Sequence, residues 1–138
     1  MLFRSERKAA LTEGSDPTIL TALDDLHWNE NRGLCEQARP ILLRLCAHYL
    51  LCEQDEGRAL DPVAAFHLGN GASVEQINWL ANVSESGLKQ SFGIMVNYAY
   101  RPLQIERNHE AYVKQGRIAA SDQVKTLLRN QPSVRARE

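Results

Sequence analysis

The chain has 138 residues, 43% of them hydrophobic and 24% charged, with a net charge of −1. This is the composition of one ordinary globular domain. It lacks the basic block of a nucleic-acid footprint, and no apolar run approaches the ~20 residues that a bilayer crossing needs. The start, Met1-Leu2-Phe3-Arg4, lacks the apolar core of a secretory signal, so the default expectation is a cytoplasmic location without a membrane partner.

Taken in chain order, Ser15-Asp16-Pro17 predicts a helix over about 17–27, with Ile19, Leu20, Leu23 and Leu26 on one face. A turn follows over Asn29–Gly33, then an apolar pattern with three- and four-residue spacing through Leu34, Ala38, Leu42, Leu45 and Tyr49. Pro40 interrupts that pattern, so a short lead-in and a helix from about 40 to 55 are expected, ended by Glu56-Gly57. Cys35, Cys46 and Cys52 form no C-x-x-C pair and read as buried, inert thiols rather than a metal site.

The next segment is sharply punctuated. Asp61-Pro62 reads as an N-cap followed by the first helical residue, where a proline has no N–H to waste. Asn70-Gly71 reads as a C-terminal stop. His67 thus falls in the last turn of a helix of roughly two turns, where the dipole favours imidazolium. On local chemistry alone, a half-buried structural histidine beside Phe66 and Leu68 is the plainer reading.

Residues 73–80 read as a strand with Ile77 and Trp79 on one face and Gln76 and Asn78 on the other. Ser84 caps a helix over 85–91, weakened by Gly87, and a second strand over 94–100 puts Ile94, Val96, Tyr98 and Tyr100 on one side. Two helices follow, over about 103–115 and 121–130, and the tail 131–138 is expected to fray. The two strands should neighbour each other in one sheet, with parallel pairing open as an alternative. Because two strands alone do not make a stable sheet, the pattern looks like part of a larger mixed one. The fold class is therefore α+β, mostly helical with a small mixed sheet.

The succession Arg58-Ala59-Leu60-Asp61-Pro62-Val63-Ala64, Phe66-His67-Leu68, Asn70-Gly71-Ala72, Ile77-Asn78-Trp79 and Gly93-Ile94-Met95-Val96-Asn97-Tyr98 resembles the C-terminal catalytic region of malonyl-CoA decarboxylases. The likeness extends upstream through Leu43-Arg44-Leu45-Cys46-Ala47-His48-Tyr49-Leu50. Downstream it includes Asn108-His109-Glu110-Ala111-Tyr112 and Ala120-Ser121. It implies that residues 1–130 are the C-terminal half of a catalytic domain with the N-acetyltransferase (GNAT) fold. It also implies malonyl-CoA as substrate, carboxy-lyase chemistry in fatty-acid and malonate metabolism, His67 as proton donor and substrate contact, and Tyr100 as a second active-site group. Asn70, beside His67, is a further candidate substrate contact.

Loss of CO2 from a malonyl thioester leaves a carbanion that the thioester itself delocalises, so neither a metal nor an organic cofactor is needed. The enzyme must stabilise the enolate oxygen and supply a proton to carbon. The family's Ser-Pro-x-Pro-Gly-Phe motif, which supplies a serine partner for the histidine, is absent. The serines are Ser5, Ser15, Ser73, Ser84, Ser86, Ser91, Ser121 and Ser133, and of these Ser133 alone is directly next to a proline. Half an active site is therefore expected, and an isolated chain without turnover. The implied partner is a complementary decarboxylase segment or another copy of the chain. A non-catalytic remnant that acts as an interaction subunit is the alternative. It would expose the faces of Ile77/Trp79 and Ile94/Val96/Tyr98. A GNAT-type acyltransferase fits less well, since Gly69-Asn70-Gly71 is too short to cradle a pyrophosphate. His109-Glu110 reads as a solvated helix pair, and His48 with Cys52 as two potential metal ligands lacking a third.

Overall fold

The computed structural model describes Met1, Phe3, residues 21–25 and residues 27–129. The Ser15-Asp16-Pro17 cap, Ile19, Leu20, Leu26 and the tail 131–138 with Ser133 lie outside the described residues. Of the helix expected over 17–27, residues 21–23 are helical and Leu23 is buried.

One long helix, α1 (Arg32–Leu51), organises the core. Asn31 caps it by accepting from the Leu34 N–H at 3.1 Å. The expected break at Pro40 does not occur, and the helix ends at Leu51 rather than near 55. Pro40 and Glu36, whose carbonyl loses its intrahelical donor, are both exposed, so water can satisfy that oxygen. The opposite stripe of Ala38, Leu42, Cys46 and Tyr49 is fully buried, and its burial holds the helix through the proline. Packed with it are Phe3, Trp28 and Phe92. The Phe3 ring lies 5.8 Å from Tyr49 and 5.7 Å from Phe92, and Trp28 lies 5.9 Å from Trp79.

After α1 comes a short antiparallel hairpin that was not anticipated, β1 (Gln54–Asp55) and β2 (Arg58–Ala59). Glu56-Gly57 is its two-residue turn, with φ of 54° and 79°; positive values at both positions suit the twist of a hairpin. Helix α2 (Pro62–Gly69) has the predicted start and stop. Strands β3 (Ser73–Asn78) and β4 (Met95–Ala99) pair antiparallel, which removes the parallel alternative, and helix α3 (Glu85–Ser91) connects them. Gly87 does not simply weaken α3: a Cβ there would lie 2.4 Å from the Asn82 carbonyl oxygen, so glycine permits a close backbone approach.

The register of β3 breaks between Val74 and Gln76, leaving Glu75 as the extra residue of a bulge. Strict alternation would place Val74 on the Gln76 face. The bulge instead turns both Val74 and Ile77 inward, opposite Tyr98 and Val96 respectively. An isolated parallel bridge joins Val74 to Ala120, so the small sheet has mixed character. Helices α4 (Ile105–Gln115) and α5 (Asp122–Arg129) complete the fold, with the Ser121 hydroxyl accepting from the Val124 N–H. The apolar faces expected to be exposed are covered: Ile94 is buried, and Ile77, Trp79, Val96 and Tyr98 pack against the core. The core of the described residues uses those side chains itself.

The α2 stop tests how tightly this frame is specified. Gly71 has φ 91°, and a Cβ there would meet the Ile105 carbonyl oxygen at 2.4 Å, whereas a Cβ on Gly69 meets nothing within 4 Å. Gly71→Ala should lower the unfolding free energy by about 1–3 kcal/mol. Gly69→Ala, which gains helix propensity, should raise it by about 0.5–1 kcal/mol. Urea denaturation of the two variants distinguishes these opposite signs.

Candidate functional site

Helix α2 is held at both ends, and His67 is what it holds. At its N-terminus the fully buried Asp61 carboxylate accepts from the Tyr49 hydroxyl at 3.0 Å and from the Ala64 N–H at 3.1 Å. The second bond is the predicted N-cap, while the first ties the cap to α1. At the C-terminus the Ala72 N–H donates to the His67 carbonyl and the Gly71 N–H to the Leu68 carbonyl, the paired bonds of a Schellman stop. Helix α4 adds two clamps. Asn108 Nδ2 donates to the Gly71 carbonyl at 3.2 Å, and His109 Nδ1 donates to the Gly69 carbonyl at 2.7 Å. His109 is therefore a helix-end clamp rather than merely solvated, and Glu110 pairs with Lys114 at 3.5 Å.

The half-buried His67 ring stands against β4. Its Nδ1 is hydrogen-bonded to Tyr100 Oη at 2.7 Å. Its face stacks on Tyr98, with centroids 4.3 Å apart and planes 20° from parallel, and the Phe66 ring meets it edge-on at 5.2 Å. Nε2 makes no hydrogen bond among the described residues. The ring thus has one anchored nitrogen and one free for other work. Burial pushes the Tyr98 phenol well above its usual range, and the Asp61 carboxylate, Cys46 and Tyr100 push it further in the same direction; Tyr98 stays neutral. Phe66, Tyr100 and Val63, one turn before His67 on α2, are exposed, with Phe66 at 64%.

Tyr100, brought forward by family resemblance, therefore meets His67 directly. Asn70 sits at the α2 C-cap, where its Nδ2 donates to the Phe66 carbonyl at 3.0 Å. Sequence reasoning missed the Tyr98 stack and the Asp61–Tyr49 bond. The spacing of Tyr98 and Tyr100, two apart on one strand and so on one face, was the available signal.

The remaining candidates are not gathered here. Among the described residues no three potential ligands cluster in a way that could hold a metal, and His48 Nδ1 lies 3.1 Å from a Glu53 carboxylate oxygen. The expectation of three buried thiols holds for Cys46 alone; Cys35 is half-buried, and Cys52 is exposed because it caps the end of α1. Burial raises all three thiol pKa values, with Asp61 adding to it at Cys46, Glu36 at Cys35 and Glu53 at Cys52. None of the three is an activated nucleophile. A cleft of about 640 Å³ lies elsewhere on α2, lined by Arg58, Ala65, Gly69, Tyr112 and Lys114 among others, and does not include His67.

Residues 1–138 match the family described as the malonyl-CoA decarboxylase C-terminal domain. The chain is 43% identical over 127 residues to a mitochondrial malonyl-CoA decarboxylase of Rattus norvegicus, covering 90% of this chain and 26% of that protein. It is 38% identical over 125 residues to a mitochondrial malonyl-CoA decarboxylase of Anser anser anser, covering 91% of this chain and 25% of that one. The chain thus spans about a quarter of the length of these curated relatives. It also resembles the crystal structure of malonyl-CoA decarboxylase from Rhodopseudomonas palustris, with a TM-score of 0.83 and 41% identity over 91% of this chain and 30% of that one. The relatives' names overturn the cytoplasmic expectation, since both are called mitochondrial. Compartment is written in a targeting segment separate from the folded domain, so composition could not read it.

The Asp61 anchor gives a direct test. Asp61→Ala removes a helix cap and the acceptor of the Tyr49 hydroxyl bond, and should cost about 2–4 kcal/mol of stability. Asp61→Asn keeps an acceptor for the cap and should lose less. Urea denaturation checks the ranking, which fails if the two variants are equally stable.

Proposed function

The chain belongs to the malonyl-CoA decarboxylase family, and from that premise we propose that it forms part of an enzyme converting malonyl-CoA to acetyl-CoA and CO2, with His67 as the proton donor. The observation that carries this reading is the 2.7 Å bond between His67 Nδ1 and Tyr100 Oη. It joins the two residues that family resemblance singles out from positions 33 apart in the chain.

In the reaction, the bond between the substrate's carboxylate carbon and Cα breaks. CO2 leaves, and the electron pair stays on Cα, delocalised into the thioester as an enolate. The imidazolium of His67 delivers its Nε2 proton to Cα, giving acetyl-CoA and a neutral imidazole. Tyr100 suits both states of the ring, because its hydroxyl oxygen accepts from Nδ1–H in the imidazolium and still accepts from it once Nε2 has given up its proton. Asn70, at the α2 stop, is the proposed neighbouring contact for the substrate.

Stabilising the enolate oxygen calls for donors that this segment does not bring to His67. We assign them to a complementary decarboxylase segment that carries the family's serine and most of the CoA-binding surface. The exposed Val63 and Phe66 on α2 and the exposed Tyr100 support that assignment, since a largely apolar rim beside a catalytic group is suited to being covered.

The test is a malonyl-CoA to acetyl-CoA and CO2 assay on the chain alone and together with the N-terminal portion of a full-length relative. The chain alone should turn over negligibly, because loss of even one oxyanion donor costs about 10²–10³ in rate. In the complemented enzyme, His67→Ala should lower kcat by about 10²–10⁴ while leaving the unfolding midpoint nearly unchanged. Unimpaired turnover by that variant would overturn the role of His67.

A further inference from the structure

We propose that Tyr98 is the positioning residue for His67, its ring serving as a platform that fixes the plane of the imidazole so that Nε2 faces the substrate. The proposal rests on the reading of His67 as proton donor.

A histidine side chain has two soft torsions, and proton transfer to carbon requires both to be set. The Nδ1 bond to Tyr100 at 2.7 Å opposes rotation of the ring in its own plane, but a single hydrogen bond leaves the ring free to tilt about it. Tyr98 removes that freedom, because an aromatic face 4.3 Å away and 20° from parallel is a stack, and tilting the imidazole destroys it. Phe66 closes the edge at 5.2 Å.

The platform is itself immobile. Tyr98 lies in β4 directly opposite the fully buried Val74, at the point where the Glu75 bulge turns Val74 inward. It packs against the core, and its phenol is held neutral by burial. Tyr98 lies in β4 and Tyr100 one residue past its end, so the strand and its immediate continuation set both contacts. Since Tyr98 acts through its ring face, its hydroxyl is dispensable to this role, and phenylalanine should substitute where an aliphatic side chain cannot.

The first test needs no turnover. Long-range ¹H–¹⁵N correlation spectra of the ¹⁵N-histidine-labelled 138-residue chain, with His67 signals identified by their loss in His67→Gln, should show one ring tautomer. Its carbon-bound ring protons should be displaced upfield by the stack. Tyr98→Phe should preserve both features. Tyr98→Met should lose the upfield displacement and show averaged tautomers, with backbone amide dispersion retained as the folding check. Wild-type spectra without upfield displacement overturn the proposal even if Tyr98→Met does not fold, and so does a folded Tyr98→Met with an unchanged His67 ring.

The second test uses the complemented enzyme. Tyr98→Met should lower kcat about 10–100-fold with KM changed less than about threefold, and Tyr98→Phe should restore kcat. A variant that raises KM alone would show a binding or structural role and defeat the assignment. If the spectra behave as expected but His67→Ala turns over normally, the function assigned to His67 fails while the platform stands.

Discussion

A carboxylate with no exposed surface holds this structure together. Asp61 joins the Tyr49 hydroxyl of α1 to the Ala64 N–H of α2. Leaving such a group unpaired in the interior is expensive, so the two helices are locked at a point where slippage would strand a charge. From that point α2 runs for two turns to the Gly71 stop, where φ is positive and Ile105 leaves no room for a Cβ. The position of His67 follows from this frame. It sits on a helix too short to be stable alone, held by a buried anchor at one end and by Asn108 and His109 at the other.

The side of the site opposite α2 is built from strand chemistry. β4 offers Tyr98 to the imidazole as a surface, and Tyr100, one residue past the strand's end, is its hydrogen-bond partner. The bulge at Glu75 keeps that strand docked, because it lets Val74 and Ile77 both face inward despite a spacing that an unbroken strand would place on opposite faces. Glu75 is stabilised outside the core. Its carboxylate meets Arg101 at 2.9 Å, and its carbonyl accepts from the Ser121 hydroxyl at 2.7 Å. The Arg101 hydrogen bond is also the main cause holding the Glu75 carboxyl below its usual range. The irregularity in β3 therefore links the sheet to the residues that lead into α5.

The contrast between the two halves of His67's environment concerns exposure. The ring face and Nδ1 are engaged, while Nε2 makes no hydrogen bond among the described residues and Val63 and Phe66 on α2 are exposed. A group preorganised on one side and unenclosed on the other is consistent with a segment that spans about a quarter of its relatives' length.

The sequence by itself determined the features whose causes act within a few residues. Asp61-Pro62 and Asn70-Gly71 bound α2, Ser84 and Ser121 cap their helices, and the alternation Ile94, Val96, Tyr98 marks the inward side of β4, which stops at Ala99 and leaves Tyr100 exposed beyond it. Each works through backbone hydrogen bonds or side-chain periodicity, which adjacent residues declare. The resemblance around His67 likewise pointed to His67 and Tyr100, whose pairing the fold then supplied. Tertiary structure alone decided the rest. α1 runs through Pro40 because burial of Ala38, Leu42 and Cys46 outweighs one lost bond on the wet face. β3 and β4 run antiparallel with a bulge because their inward residues must meet the core of α1. His67 stacks on Tyr98 because Asp61 and Tyr49 fix α2 against α1 while Val74 fixes β4. These contacts join residues far apart in the chain, and no local pattern records which distant partner a buried group will meet.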